Sequence, residues 1–281
     1  RVGATIYLGA AAKAAYPFTP LHDGEILEFG RVRLKALETP GHTPESISLL
    51  VYDLNASETL PHAALTGDTL FIGDVGRPDL SPQYPPQELA AMLYDSLHQK
   101  LLTLPDSCRV FPAHGAGSLC GRNIGTGKHS TIGHERAFNY ALQPRTREEF
   151  VELLTAEYAD RPDYFLRDAQ INRAGAALLT ELPDLATLTP AQVAHKQAGG
   201  CIVLDTRTPS EFGAGHVPGS IHIALSGQYA SWAGTLIGLD QPIILLVASP
   251  EQLQEAQVRL ARVGIENLVG YLGTGGSVPT G

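Results

Sequence analysis

Thr39-Pro40-Gly41-His42-Thr43-Pro44, Leu65-Thr66-Gly67-Asp68-Thr69-Leu70 and Arg109-Val110-Phe111-Pro112-Ala113-His114-Gly115 are the stretches that decide how this chain folds. Each sets a histidine or an aspartate, bracketed by small residues or proline, just after an apolar run. Imidazole and carboxylate suit Zn or Fe, and two histidines plus one carboxylate make the facial set of a non-haem Fe(II) centre. Taken singly, Gly-Asp-Thr reads as a turn whose aspartate caps its own backbone, and a loop histidine as a solvated one. The ordered trio, each behind an apolar run, points instead to a metal held by His42, Asp68 and His114. No catalytic side chain is assigned outside that set.

Composition narrows the function classes. A length of 281 residues suggests two domains, each able to bury its own core. With 43% hydrophobic and 17% charged residues the chain reads as globular. Its net charge of −9, with both signs interspersed, argues against nucleic-acid and anionic-membrane binding. No apolar run is long enough for a membrane span. Three cysteines make no disulfide framework, and a reducing cytoplasm is the expected setting.

The first half alternates short β-rich runs with turns: 32–37, 47–52, 63–66 and 109–111. Between the last two, Leu89, Met92, Leu93, Leu97 and Leu101 recur at helical spacing, which predicts an amphipathic helix over 86–102. Residues 130–179 read as mainly helical, most clearly over 148–158. Pro183 and Pro190 flank a polar stretch, placing a linker at 182–189 between a first domain over 1–181, with a helical extension at its end, and a second over 190–281. There the period changes to strand, loop, helix. Cys201-Ile202-Val203-Leu204 is a buried-strand run, Thr208-Pro209-Ser210-Glu211 a helix start with a capping box, 242–247 a second buried strand and 250–263 a helix. That alternation predicts a small parallel α/β domain.

The motifs also carry a resemblance. The three signatures, together with Gly73-Asp74-Val75-Gly76-Arg77-Pro78-Asp79-Leu80, Ser130-Thr131-Ile132-Gly133-His134-Glu135-Arg136 and Asn172-Arg173-Ala174-Gly175, resemble the metallo-β-lactamase superfamily. Within it they look like the persulfide dioxygenases that carry a fused rhodanese domain, and Gly-Arg-Pro-Asp-Leu separates that branch from generic lactamase-like hydrolases. The implied fold is α/β: an αββα sandwich followed by a rhodanese-like domain with a parallel sheet. The superfamily's upstream His-x-His-x-Asp-His cluster has no counterpart before Gly41, where His22 stands alone in a turn-like Leu21-His22-Asp23-Gly24. The first domain is therefore expected to be N-terminally incomplete and its metal short of a ligand.

The second half resembles a rhodanese domain through Asp205-Thr206-Arg207 and Gly215-His216-Val217-Pro218-Gly219. Rhodanese sulfur transfer needs a cysteine thiolate at a loop that opens a helix, where N–H groups and the helix dipole stabilise it. That position is Val247. The loop continues Ala248-Ser249-Pro250-Glu251-Gln252, in which Ser249 caps the helix, Pro250 removes an N–H and Glu251 adds negative charge. The domain is expected to be an inactive rhodanese, with Asp205, Arg207 and His216 left as structural residues of a degenerate site. Cys201 and Cys108 read as small buried hydrophobes. Cys120 lies in a Gly-rich loop six residues beyond His114, where a structural role is its simpler reading and lining the metal site the alternative.

The resemblance implies a mononuclear Fe(II) enzyme that oxidises a low-molecular-weight thiol persulfide, such as glutathione persulfide, with O2 to sulfite and thiol. His42 and Asp68 would be ligands and His114 a residue orienting water or substrate. Arg77 would bind a carboxylate of the thiol, or else simply pair with Asp74 or Asp79. The alternatives are a dinuclear zinc thioesterase of the glyoxalase II type (a hydroxyacylglutathione hydrolase) using the same three residues, and a non-catalytic binding or scaffold chain. A homo-oligomer and a partner sulfurtransferase are expected.

Overall fold

The computed structural model describes residues 3–157, 164–176 and 182–273. It divides into two compact units, Arg1–Arg161 and Pro162–Gly281.

In the first unit β1 (Tyr7–Gly9) and β2 (Thr19–Leu21) pair in parallel. The main sheet has six strands in sequence order: β3 (Ile26–Phe29), β4 (Val32–Glu38), β5 (Ile47–Asp53), β6 (Ala63–Gly67), β7 (Arg109–Pro112) and β8 (Ser130–Thr131). Strict alternation explains why β5 is a strand. Ser48, Leu50 and Tyr52 are buried on one face, while Leu49 and Val51 are half-buried on the other. Strands β3 to β6 run antiparallel, each to the next, and β6 then pairs in parallel with β7. A parallel pair needs a crossover, and α1 (Pro86–Gln99) supplies it.

This topology positions the site. Strands β4, β6 and β7 all point the same way, so the loops after Glu38, Gly67 and Pro112 emerge along one edge of the sheet. The three sequence signatures occupy those loops.

Proline in its first turn starts α1, which buries Leu89, Ala90, Leu93 and Leu97, the last three in one cluster with Leu50, Ala64 and Val110 of the sheet. Each fully buried leucine contributes about 1.5–3 kcal/mol. Helices α2 (Ile132–Phe138) and α3 (Arg147–Thr155) add Ile132, Phe150 and Leu154 to the same core. A capping box between Thr146 and Glu149 opens α3. The sequence expectation that this helix reaches residue 158 extends beyond the described residues.

The second unit contains α4 (Tyr164–Ala174), α5 (Pro190–Ala198), β9 (Ile202–Asp205), α6 (Pro209–Ala214), β10 (Ile221–His222), α7 (Tyr229–Leu236), β11 (Ile243–Val247), α8 (Pro250–Ala261) and β12 (Leu268–Gly273). Its sheet, ordered β10-β9-β11-β12, is parallel throughout. All five residues of β11 are buried: Ile243, Leu245 and Val247 join one apolar cluster, Ile244 and Leu246 another. A strand covered on both faces has to be an unbroken apolar run, as this one is.

The division between units falls earlier than the sequence suggests. Helix α4 belongs to the second unit, where Tyr164 enters the cluster around Leu204 and Ile243. Gly234 makes room for it, since a Cβ there would lie 2.7 Å from the Tyr164 ring. Nor is 182–189 a free linker. Thr187 forms a parallel bridge to Tyr271, with Leu188 N–H donating to Tyr271 O at 2.7 Å, and Leu188 is buried. Edge pairing of this kind uses main-chain atoms, which a composition-based reading of a polar stretch does not register. No helix among the described residues is long and apolar enough to cross a membrane.

Candidate metal centre

The three loops bring His42, Asp68 and His114 together. Asp68 lies between the two imidazoles: its Oδ2 is 3.3 Å from His42 Nε2 and its Oδ1 is 2.7 Å from His114 Nδ1. His42 is buried and its Nδ1 bonds the Arg77 carbonyl at 2.9 Å, which turns Nε2 towards the carboxylate. A ring nitrogen fixed by a main-chain carbonyl is the usual orientation of a metal-ligating histidine. Cys120 joins the group, and ligand atoms of His42, Asp68 and Cys120 all lie within 4.8 Å of one another. His114 is exposed, at the solvent side of the cluster.

Close packing of glycines lets the loops converge. Gly41 has φ +147°, and a Cβ there would lie 2.4 Å from the Leu93 Cβ, so the His42 loop presses directly on α1. At Gly76 a Cβ would meet the Asp68 carbonyl oxygen at 2.0 Å and the His42 Cβ at 2.9 Å. Below the ligands, buried hydroxyls tie the first two loops together. Thr39 Oγ1 shares a hydrogen bond with Ser48 Oγ at 2.9 Å, and Thr69 Oγ1 donates to Thr39 Oγ1 at 3.0 Å. Asp74 anchors the third. Its carboxylate accepts the N–H groups of Arg122 at 2.6 Å and Asn123 at 2.7 Å, and the Tyr140 hydroxyl at 2.9 Å.

The electrostatics suit a cation. Burial works against charge on His42, yet the contacts with Asp68 and Cys120 outweigh it and raise its pKa to about 9. His114, hydrogen-bonded to the same carboxylate, is also raised. Burial would push the Asp68 carboxyl up, but hydrogen bonds from His114 and His42 hold it well below the usual carboxylate range. Two imidazolium protons thus gather around one anion, where a metal ion would take their place. The donor set of imidazoles, carboxylate and thiol fits iron or zinc.

Arg77 corrects one of the two sequence expectations for it. It does not reach out to substrate: the guanidinium is buried and forked onto Asp79, with Nε–Oδ1 and Nη2–Oδ2 both at 2.7 Å. Residues 74–78 are buried, and Arg77 Nη1 also donates to the Leu119 carbonyl at 3.3 Å, next to Cys120. Asp74 is the site residue that sequence reasoning missed, and Cys120, whose place beyond His114 offered lining of the site as its second reading, takes that second reading. Their signals were weak ones, a cysteine beyond His114 and an aspartate flanked by glycine. His22, exposed, lies in the turn after β2.

In the second unit Asp205 and Arg207 form a buried bidentate pair, the shortest contact 2.6 Å, and Arg207 Nη2 also donates to the Gly215 carbonyl. His216 bonds the Phe212 carbonyl and stacks on its ring. His222, not singled out in the sequence, binds the Arg207 carbonyl at 2.9 Å. Val247 is fully buried at the end of β11. Ser249 caps α8 by accepting from Gln252 N–H, which leaves the helix start self-satisfied.

Residues 189–277 match the model of the rhodanese-like domain. The solved metallo-β-lactamase of Staphylococcus aureus superposes with a TM-score of 0.81 at 28% identity, over 97% of this chain and 77% of that one. The chain joins a metallo-β-lactamase-superfamily domain to a rhodanese-like domain. The metallo-β-lactamase-like part is 34% identical over 134 residues to the mitochondrial persulfide dioxygenase ETHE1 of Bos taurus, covering 48% of this chain and 44% of that protein. The chain therefore spans about half the length of the curated relatives it matches. ETHE1 from Myxococcus xanthus superposes with a TM-score of 0.50 at 29% identity, over 62% of this chain and 67% of that one.

Proposed function

We propose that the metallo-β-lactamase-like domain contributes the metal-binding loops of a persulfide dioxygenase acting on a low-molecular-weight thiol persulfide such as glutathione persulfide. The observation that carries this reading is the convergence of His42 Nε2 and Asp68 on one point at the sheet edge, in a domain resembling persulfide dioxygenases. His42 and Asp68 would hold Fe(II), with His114 orienting the Asp68 carboxylate through its 2.7 Å bond. Bound iron would activate O2 towards the sulfane sulfur, O2 and one water together supplying the three oxygens of sulfite while the thiol is released. The chain's own residues hold the donors rigid: Arg77 O sets the His42 ring, and the buried threonines lock the two loops.

A second reading, the dinuclear zinc thioesterase, draws on one feature. Each Asp68 oxygen faces a different histidine, so His42, Asp68 and His114 would together offer donors to two zinc ions, which would supply a metal-bound hydroxide as nucleophile. The experiment is metal analysis of the purified protein with O2-uptake and thioester-hydrolysis assays. About one iron per chain and O2 uptake with glutathione persulfide support the dioxygenase. Two zinc ions with thioester hydrolysis and no O2 uptake hand the site to the thioesterase. A protein supplied with the upstream histidine cluster that takes up neither metal sinks both.

The rhodanese-like domain is proposed to be catalytically inactive, because Val247 offers no nucleophile, and to act as a docking module for a partner sulfurtransferase. Its setting, by the same proposal, is the cytoplasm.

A further inference from the structure

We infer that Cys120 is a thiolate donor to the metal held by His42 and Asp68, making a mixed imidazole–carboxylate–thiolate set. The inference rests on the metal-centre reading above. Its first support is position. One donor atom each from His42, Asp68 and Cys120 falls within a 4.8 Å span. Tetrahedral donors around zinc stand roughly 3.5 Å apart, so a contraction of about 1 Å closes the set on an ion.

The second support is that the thiol is held in place by the machinery that orients His42. Arg77 N–H donates to the Cys120 carbonyl at 3.0 Å, while the carbonyl of the same Arg77 accepts from His42 Nδ1. One residue's main chain thereby registers imidazole and cysteine against each other. On the other side Cys120 N–H donates to Ser118 Oγ at 3.2 Å. The next residue has to be small, because a Cβ on Gly121 would lie 2.8 Å from Asp74 Oδ2, the atom that takes the N–H groups of Arg122 and Asn123. The loop is fixed from both ends, and Cys120 lies between the anchors.

The other two cysteines differ. Cys108 is fully buried in the apolar core, and Cys201 precedes β9 in the other unit. A thiolate is a soft donor that zinc, cobalt and ferrous iron all accept.

Co(II) titration of the full chain tests this. Ligand-field bands report any metal bound, and a sulfur-to-cobalt charge-transfer band in the near ultraviolet reports the thiolate. The expected result is both sets of bands in the wild type. Cys120→Ser and Cys120→Ala should lose the charge-transfer band and bind Co(II) about 10–100-fold more weakly, while Cys201→Ser keeps the band. Circular dichroism of each variant confirms the fold. Ligand-field bands with no charge-transfer band, or a band that survives in both Cys120 variants, overturn the assignment while leaving the His42–Asp68 centre standing. Absence of all bands in the wild type overturns the centre itself.

Discussion

Gly76 is the position where a single methyl group would test the architecture of the site most directly. An alanine Cβ there would lie 2.0 Å from the Asp68 carbonyl oxygen, 2.9 Å from the His42 Cβ and 3.0 Å from its Nδ1. Ordinary contact begins near 3.4 Å, so the Asp68 oxygen is about 1.4 Å too close and has to yield. That oxygen belongs to the main chain and cannot rotate away as a flexible side chain would. Overpacking of this kind costs about 1–3 kcal/mol. At about 2–4 °C per kcal/mol for a unit of this size, Gly76→Ala should lower the melting temperature by roughly 2–12 °C. The strain falls on the two ligand-bearing loops, and displacing a positioned group by ~1 Å costs about a hundredfold in function, so Co(II) affinity should fall by a similar factor. Gly115→Ala is the control. It neighbours His114, yet its Cβ would meet nothing within 4 Å, and stability should stay within about 0.5 kcal/mol. Thermal unfolding followed by circular dichroism and Co(II) titration read both variants. If Gly76→Ala melts with the wild type and binds Co(II) equally well, the close approach of these loops is not what holds the site. The same holds if Gly115→Ala falls as far.

Other outcomes follow from the rest of the molecule. Arg207→Met strands the buried Asp205 carboxylate and should destabilise the second unit by about 3–5 kcal/mol, with Asp205→Leu in the same chain recovering most of it; no recovery in denaturant unfolding would refute the ion-pair account. Burial raises Asp168 to about 6, so its contribution to stability is fullest below the ordinary carboxyl value and is lost as pH rises through 6. Asp168→Asn should therefore raise the melting temperature at pH 7–8 and leave it unchanged near pH 4, and an equal shift at both pH values would refute the cause given. Val247→Cys should show no thiosulfate:cyanide sulfurtransferase activity, because Val247 is fully buried, Pro250 offers no N–H and Glu251 is negative at the helix start. Fast turnover by that single variant would show the rhodanese-like site to be intact apart from its nucleophile.

The strand-end loops were legible in the sequence because apolar runs and Gly/Pro punctuation are local signals. Strands β4 to β7, helix α1 and the capping box at Thr208 were all readable for that reason. What escaped was set by contacts distant in sequence. Arg77 was legible in part: pairing with Asp79, two residues on, was one of its two readings, and the burial of 74–78 decides between them. Asp74 looked like half of an ion pair, but its partners are N–H groups almost fifty residues away at Arg122 and Asn123. Helix α4 followed the first domain in the sequence, yet Tyr164 finds its apolar partners in the second.

The bond from His42 Nδ1 ends on a carbonyl oxygen, an atom that every amino acid carries. The tilt of that ring is consequently inherited through loop shape, and drift in side-chain identity at position 77 leaves the acceptor intact. Identity there matters for the Asp79 clamp, while the ring's tautomer follows from a path of backbone torsions. Proline at 77 would separate the two services of that main chain, deleting the N–H that meets Cys120 while keeping the oxygen that meets His42.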